Sequence, residues 1–85
     1  RKLGKAVDDL KKAVELNPRD KMAHYNLAAL YSLQNERERA LDALDKALGL
    51  GFDNYDALRA DPDLNNIRRD PEFRKVLEKH KIFLK

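Results

Sequence analysis

The sequence predicts an all-α fold, an α-solenoid of antiparallel helix pairs closed by a capping C-terminal helix. The first observation is an internal repeat: residues 5–16 and 39–50 align 34 positions apart, and six of the twelve pairs are identical. A period of this length is typical of stacked units that are too small to bury their own apolar faces. The second is that apolar residues recur at spacings of three and four, which predicts amphipathic helices. Glycine and proline number only three each, so turns are few.

Each helix has recognisable boundaries. The first is expected over residues 3–16, because Pro18 cannot continue a helix and disfavours helical geometry at Asn17. The second is expected at Lys21–Leu33 with Asp20 as its cap, and the third at about Glu36–Leu48, ending at Gly49-x-Gly51. Residues 53–60 indicate a short helix. Asp61-Pro62 and Asp70-Pro71 each place a capping residue before a proline at the first helical position, and the last helix is expected to run to about Phe83.

The composition gives little support to catalysis. The 85 residues contain no cysteine and two histidines, His24 and His80, without metal-ligand spacing, so we predict no catalytic residue, no metal site and no cofactor. His24 is expected to pack at a helix interface. The hydroxyl of Ser32 has no base nearby in sequence. Asp61, Asp63 and Asp70 lack calcium-loop spacing and are expected to cap helices. The longest apolar runs are a few residues, far short of a membrane span.

A family resemblance follows from three motifs. Tyr25-Asn26-Leu27-Ala28-x-x-Tyr31 is similar to the first-helix signature of the tetratricopeptide repeat (TPR) family, and Ala40, Leu44 and Ala47 are similar to its second-helix signature. Ala13 to Pro18 resembles the end of a preceding repeat. The resemblance implies three segments: the second helix of a truncated repeat at 1–18, a complete repeat at 19–52, and a degenerate closing repeat with a basic capping helix at 53–85. It also implies that the natural chain continues upstream with further repeats.

The resemblance places a peptide-binding groove on the first helix of the complete repeat. The candidate groove residues share one face of that helix: Met22, Tyr25, Asn26, Ala29, Ser32 and Leu33. The alternative for Tyr25 is packing against the neighbouring repeat, and for Asn26 a local hydrogen bond. The family's clamps for a chaperone C-terminal carboxylate present lysine and asparagine on successive first helices, whereas Tyr25 and Ala29 stand at those positions here. An extended or apolar peptide is therefore the favoured partner.

Positive charge is concentrated at the C-terminal end. Residues 68–85 hold seven bases and three acids, a balance of +4, whereas residues 1–67 hold eleven bases and twelve acids, a balance of −1. Such a patch is able to meet nucleic acid, anionic lipid or an acidic protein, although such residues more commonly form a solvated helix face. The basic-patch candidates are Arg68, Arg69, Arg74, Lys75, Lys79, Lys81 and Lys85.

These observations favour a protein–protein interaction scaffold or adaptor that holds a partner peptide during assembly of a larger complex. The resemblance of the closing repeat suggests a bacterial or organellar assembly factor. Two alternatives stay open: an electrostatic docking element that uses the basic helix on a membrane surface or nucleic acid, and a regulatory appendage of a larger enzyme. Nucleic acid and membrane partners are not favoured. A cytoplasmic location is predicted, with an organellar or membrane-associated one possible if a targeting segment lies upstream.

Overall fold

Helices account for all the regular structure in residues 2–84, the part of the chain that the computed structural model describes. They follow one another with short connections, as the repeat pattern predicts. In chain order they are α1 (Lys2–Leu16), α2 (Lys21–Leu33), α3 (Arg37–Gly49), α4 (Tyr55–Ala60), a 3-10 turn (Pro62–Leu64), α5 (Asn65–Arg68) and α6 (Pro71–Lys79). No helix within these residues is long and apolar enough to cross a membrane.

Side-chain caps begin most of these helices. The carboxylate of Asp20 accepts a hydrogen bond from the Ala23 amide at 3.1 Å, which pairs one of the otherwise unsatisfied donors of the first turn. Asp61 and Asp70 make the same kind of contact ahead of their prolines, with the amides of residues 63 and 72. The caps predicted at these three aspartates are therefore confirmed, whereas Asp63, also expected to cap a helix, lies inside the 3-10 turn that Asp61 caps. Asn54, which the sequence pattern did not single out, caps α4 through the amide of residue 57.

The helix pair α2 and α3 forms the centre of the core. Small residues at the contact let the two backbones approach closely, because Ala28, Ala40 and Ala47 are completely buried between them. Leu44 is also completely buried and fills the space that the alanines leave. Helix α1 packs on α2, and Val7 is its one buried side chain. The helix pairing expected of a solenoid is confirmed for α1 to α3.

Residues 52–82 close the open end of this pair, and we call them the closing unit. Its 3-10 turn and α5 pack on α2, and α6 packs on α3. Three of its side chains, Leu58, Leu64 and Ile67, are completely inaccessible to solvent. Buried apolar area of this kind is the main stabilising contribution in a small domain. The closing unit therefore covers the apolar surface that a further repeat would otherwise bury.

The last helix ends earlier than the sequence pattern suggested. It stops at Lys79 rather than near Phe83, and Lys81 adopts a left-handed backbone with a φ of 60°. The amide of Ile82 then donates to the Leu77 carbonyl at 2.9 Å, and the amide of Lys81 to the carbonyl of residue 78. This is a Schellman closure, in which the apolar side chain after the turn returns to the helix. The prediction was wrong because burial of Ile82 reverses the chain.

The same closure ends α2 and α3. There the left-handed residues are Asn35, with a φ of 60°, and Gly51, with a φ of 100°. Both residue types are common in this conformation, because asparagine tolerates it and glycine has no Cβ to clash. Lysine is the unusual occupant of the three, so residue 81 holds backbone strain that a glycine would not.

We expect Lys81→Gly to raise the free energy of unfolding by about 0.5–1 kcal/mol, since it removes the left-handed strain but adds flexibility to the unfolded chain. Urea unfolding followed by circular dichroism measures this. The control is Lys75→Gly in the exposed middle of α6, which should lower stability by about 1 kcal/mol. Equal destabilisation by the two substitutions would show that the turn at residue 81 carries no such strain.

Candidate functional site

The six predicted groove residues divide into an exposed and a buried set. Met22, Asn26 and Leu33 are exposed, and the side chains of Met22 and Leu33 are large apolar groups at 49% and 42% exposure. Tyr25, Ala29 and Ser32 are buried. The helix α2 therefore offers solvent only part of the face that the sequence pattern assigned to binding.

The expectation that Tyr25 lies exposed in a groove is wrong. Its ring stacks on Phe52, with ring centroids 4.3 Å apart and planes 9° from parallel. Its hydroxyl donates to the Asp61 carboxylate at 2.5 Å. Burial first, and then this hydrogen bond, raise the pKa of the Tyr25 phenol well above its ordinary value, so the proton stays in place at physiological pH. Tyr25 thus joins the complete repeat to the closing unit, as the packing alternative had it.

Ser32 and Ala29 are covered on the same side of α2. Ser32 has no solvent exposure, and its carbonyl accepts a hydrogen bond from the Asn66 side-chain amide at 2.7 Å. Ala29 is 7% exposed. Ser32 contacts α5 through Asn66, and Ala29 lies about one turn earlier on the same side of α2. They are therefore structural residues here, and their predicted place in an accessible groove is corrected.

The exposed remainder of α2 forms a narrow stripe, which we call the α2 ridge and define as Met22, Asn26 and Leu33. At 100° per residue these three side chains lie within about 40° of one another around the helix axis. Half-buried Leu30 borders the stripe. Asn26 stands between the two apolar groups, and its amide offers both a hydrogen-bond donor and an acceptor. The ridge therefore combines apolar contact with one polar anchor.

His24 occupies the position predicted for it. The side chain is buried at 7% exposure, and its Nε2 lies 2.9 Å from the Pro18 carbonyl oxygen. Because a carbonyl only accepts, the ring nitrogen donates in this contact. The hydrogen bond ties α2 to the turn that precedes it. Within residues 2–84 no group of three or more histidine, cysteine, aspartate or glutamate side chains is placed to hold a metal ion.

A second polar contact joins α3 to the end of α6, and no sequence pattern predicted it. Asp45 receives the Lys79 ammonium at 2.8 Å on one carboxylate oxygen and the His80 ring at 2.5 Å on the other. Burial opposes ionisation of this carboxyl, but the hydrogen bonds from Lys79 and His80 outweigh it, so the pKa of Asp45 falls below its usual range. We call these three residues the Asp45 clasp. It fixes the last helix on the complete repeat.

The basic-patch residues do not form one continuous cationic face. Arg68 is turned inward, where its guanidinium donates to the carbonyls of Leu58 and Asp61, so the expectation that it faces water is corrected. Lys79 binds Asp45, and Lys75 pairs with Glu72 at 3.2 Å. Arg69, Arg74 and Lys81 are exposed, and Lys85 lies outside the described residues. The positive charge at this end is therefore divided between side chains held in contacts within the fold and side chains exposed to solvent.

We expect Tyr25→Phe to lower the free energy of unfolding by about 1–2 kcal/mol, because it removes the hydrogen bond to a carboxylate while keeping the ring stack. Urea unfolding measures the change. Tyr55→Phe is the matched control, since that tyrosine is 44% exposed and makes no side-chain hydrogen bond within residues 2–84. Stability unchanged in both variants would mean that the Tyr25 contact contributes nothing to closure.

The Asp45 clasp predicts a pH-dependent contribution to stability. A carboxyl whose pKa is lowered by folding stabilises the fold above its unfolded-state pKa of 3.8, and that stabilisation is lost as the pH falls through the lower, folded value. Asp45→Asn should therefore lower stability by about 0.5–1 kcal/mol near pH 6, and the difference should shrink below pH 3.8. Unfolding curves over this range test it, with exposed Asp42→Asn as control. A difference that does not vary with pH would contradict the ionic contribution.

Comparison with known proteins agrees with this geometry. The family model described as tetratricopeptide repeat matches residues 10–47. A chloroplastic protein of Arabidopsis thaliana is 37% identical over 57 residues, which cover 67% of this chain and 17% of that protein. "Tetratricopeptide repeat protein 36" of Caenorhabditis elegans is 43% identical over 49 residues, which cover 58% of this chain and 27% of that protein.

The matched segments of this chain therefore span only 17% and 27% of the length of these relatives. No solved structure gives a significant match. TPR repeats generally mediate protein–protein interaction, and the family is generally a non-catalytic interaction module. The family model covers the last part of α1, the whole of α2 and most of α3, the helices whose packing was derived above. The sequence match and the helix packing together identify residues 10–47 as a tetratricopeptide repeat segment.

Proposed function

We propose that this chain is a scaffold or adaptor module that binds an extended, partly apolar peptide segment of a partner protein along the α2 ridge. The observation that carries the proposal is the exposure of Met22 and Leu33 on one stripe of α2, with Asn26 between them. Large apolar side chains grouped on a surface, with a polar group among them, are typical of interaction sites.

The dimensions of the ridge suit a short extended segment. Met22 and Leu33 are eleven positions apart, which corresponds to about 16 Å along the helix axis. About five residues of an extended peptide span that distance. Asn26 would then pair with a backbone amide or carbonyl of the bound segment, while the apolar groups at both ends contact alternate side chains.

The process in which such binding takes part is a further proposal. We infer that the bound partner is a component of a larger complex and that this protein acts during assembly of that complex. The similarity to a chloroplastic protein supports testing an organellar location as well as the predicted cytoplasmic one. Fluorescence microscopy of the full-length protein distinguishes the two. The alternative role, a regulatory appendage of a larger enzyme, is a hypothesis about the full-length protein. The matched segments cover only a small part of the length of the relatives.

Substitution of the ridge tests the binding proposal without disturbing the core. Full-length wild-type protein and Met22→Ser/Leu33→Ser are each used for affinity purification, with bound proteins identified by mass spectrometry. Peptides from a candidate partner are then titrated with both. We expect at least a tenfold loss of affinity, since two apolar contacts of about 1 kcal/mol each disappear, and a further loss on Asn26→Ala. Tyr25 is excluded from this test because it belongs to the core.

The matched control is Leu3→Ser/Leu16→Ser, which removes two exposed apolar side chains from α1, at 38% and 88% exposure. This variant should keep the partner and its affinity. Circular dichroism should show the same helicity for both double variants. Retention of the partner by the ridge variant, or its loss from the α1 variant as well, would refute the α2 ridge as the binding surface.

A further inference from the structure

A separate cleft lies in the closing unit, away from the α2 ridge. It is bounded by α4, α6 and the segment that follows the chain reversal at Lys81, and its volume is about 420 Å³. This lies within the range of ligand-binding pockets in proteins. The floor is apolar and consists of core side chains, with Leu58, Phe73 and Leu77 each no more than 5% exposed. The α2 ridge residues do not line it.

Positive charge predominates on the walls of this cleft. Three arginines, Arg59, Arg68 and Arg74, line it, whereas Glu78 is the one acidic lining residue among those that the structure describes. Arg74 and Arg68 make no salt bridge within residues 2–84. Arg59 pairs with Asp56, but the Asp56 side chain is 92% exposed. Water therefore competes with this carboxylate for the Arg59 guanidinium, and the ion pair is weak.

The surroundings of Arg68 strengthen this charge. Its guanidinium donates to the Leu58 carbonyl at 3.1 Å, the Asp61 carbonyl at 2.9 Å and the Asn65 side-chain oxygen at 2.6 Å. All three acceptors are neutral, so they hold the side chain in place without cancelling its charge. A fixed cation over an apolar floor attracts a negative group more strongly than one that moves freely in water.

The C-terminal segment provides the remaining wall. Ile82 is buried and anchors the segment, while the next residue, Phe83, leaves 72% of its surface exposed at the edge of the cleft. An exposed phenylalanine beside an apolar floor extends the surface that an apolar ligand group is able to contact. The cleft therefore pairs apolar contact with cations at its rim.

We propose that this cleft is a second docking site, for an acidic segment of a partner protein that carries a bulky apolar side chain. The apolar side chain enters between Phe73 and Phe83, and flanking carboxylates pair with Arg74 and Arg59. The charge of the walls selects the acidic residues and the floor selects the apolar one. A nucleic-acid backbone matches only the cations, and it would leave the apolar floor without a partner. This site is independent of the proposed function of the α2 ridge.

A labelled peptide tests the proposal directly. The probe is a fluorescein-labelled octapeptide with two central phenylalanines and three aspartates on each side, titrated with the full chain and followed by fluorescence anisotropy. Arg74→Glu should weaken binding at least tenfold, since a charge-assisted hydrogen bond is lost and repulsion is added. Lys12→Glu makes the same change of charge on exposed α1 and should alter the dissociation constant less than twofold.

Two further measurements test the apolar floor and the independence of the cleft from the α2 ridge. A peptide with serines in place of the phenylalanines should bind at least tenfold more weakly, and the ridge variant Met22→Ser/Leu33→Ser should bind the original peptide as wild type does. Absence of binding to wild type would overturn the proposal. So would equal loss in Arg74→Glu and Lys12→Glu, or equal binding of the serine peptide, because either result would indicate only general charge attraction.

Discussion

Closure of the apolar end of the α2–α3 pair is the constraint on which the rest of this structure depends. A helix pair of this size cannot bury its own apolar surface, and what lies beyond Gly51 must cover it. The decisive contact is made by Tyr25, which stacks on Phe52 and donates its hydroxyl to Asp61. Asp61 at the same time caps the 3-10 turn and supplies a carbonyl to Arg68. One aspartate thus fixes the turn, the tyrosine and the arginine together.

Two contacts between the closing unit and the α2–α3 pair join residues that are 34 positions apart, which is the period of the internal repeat in the sequence. Asn66 binds the carbonyl of Ser32, which is 34 positions earlier, and Lys79 binds Asp45, also 34 positions earlier. The 3-10 turn and α5 pack on α2, and α6 packs on α3. The contacts of Asn66 and Lys79 therefore follow the same 34-residue spacing as the repeated segments 5–16 and 39–50.

The local features of this fold could be predicted from sequence, whereas the features set by distant contacts could not. Proline and aspartate give the helix starts at Asp20, Asp61 and Asp70, because capping involves only neighbouring residues. The spacing of residues along a helix, by contrast, predicts which side chains share a face but not which part of that face another element will cover. Tyr25 and Ser32 share a face with Met22, yet they are buried by residues 27 or more positions away. The early end of α6 was missed for the same reason, since burial of Ile82 decides it.

The two candidate binding surfaces are the parts of the fold that closure leaves uncovered. The closing unit covers the Tyr25 side of α2, so the binding surface proposed on this helix is limited to the exposed stripe of Met22, Asn26 and Leu33. The chain reversal at Lys81 returns Ile82 to the core but leaves Phe83 and the arginines of α4 to α6 around an open cleft. The Asp45 clasp holds α6 against α3 and so keeps the far wall of that cleft in position. The contacts that complete the solenoid therefore also determine which surfaces remain open for the two proposed sites.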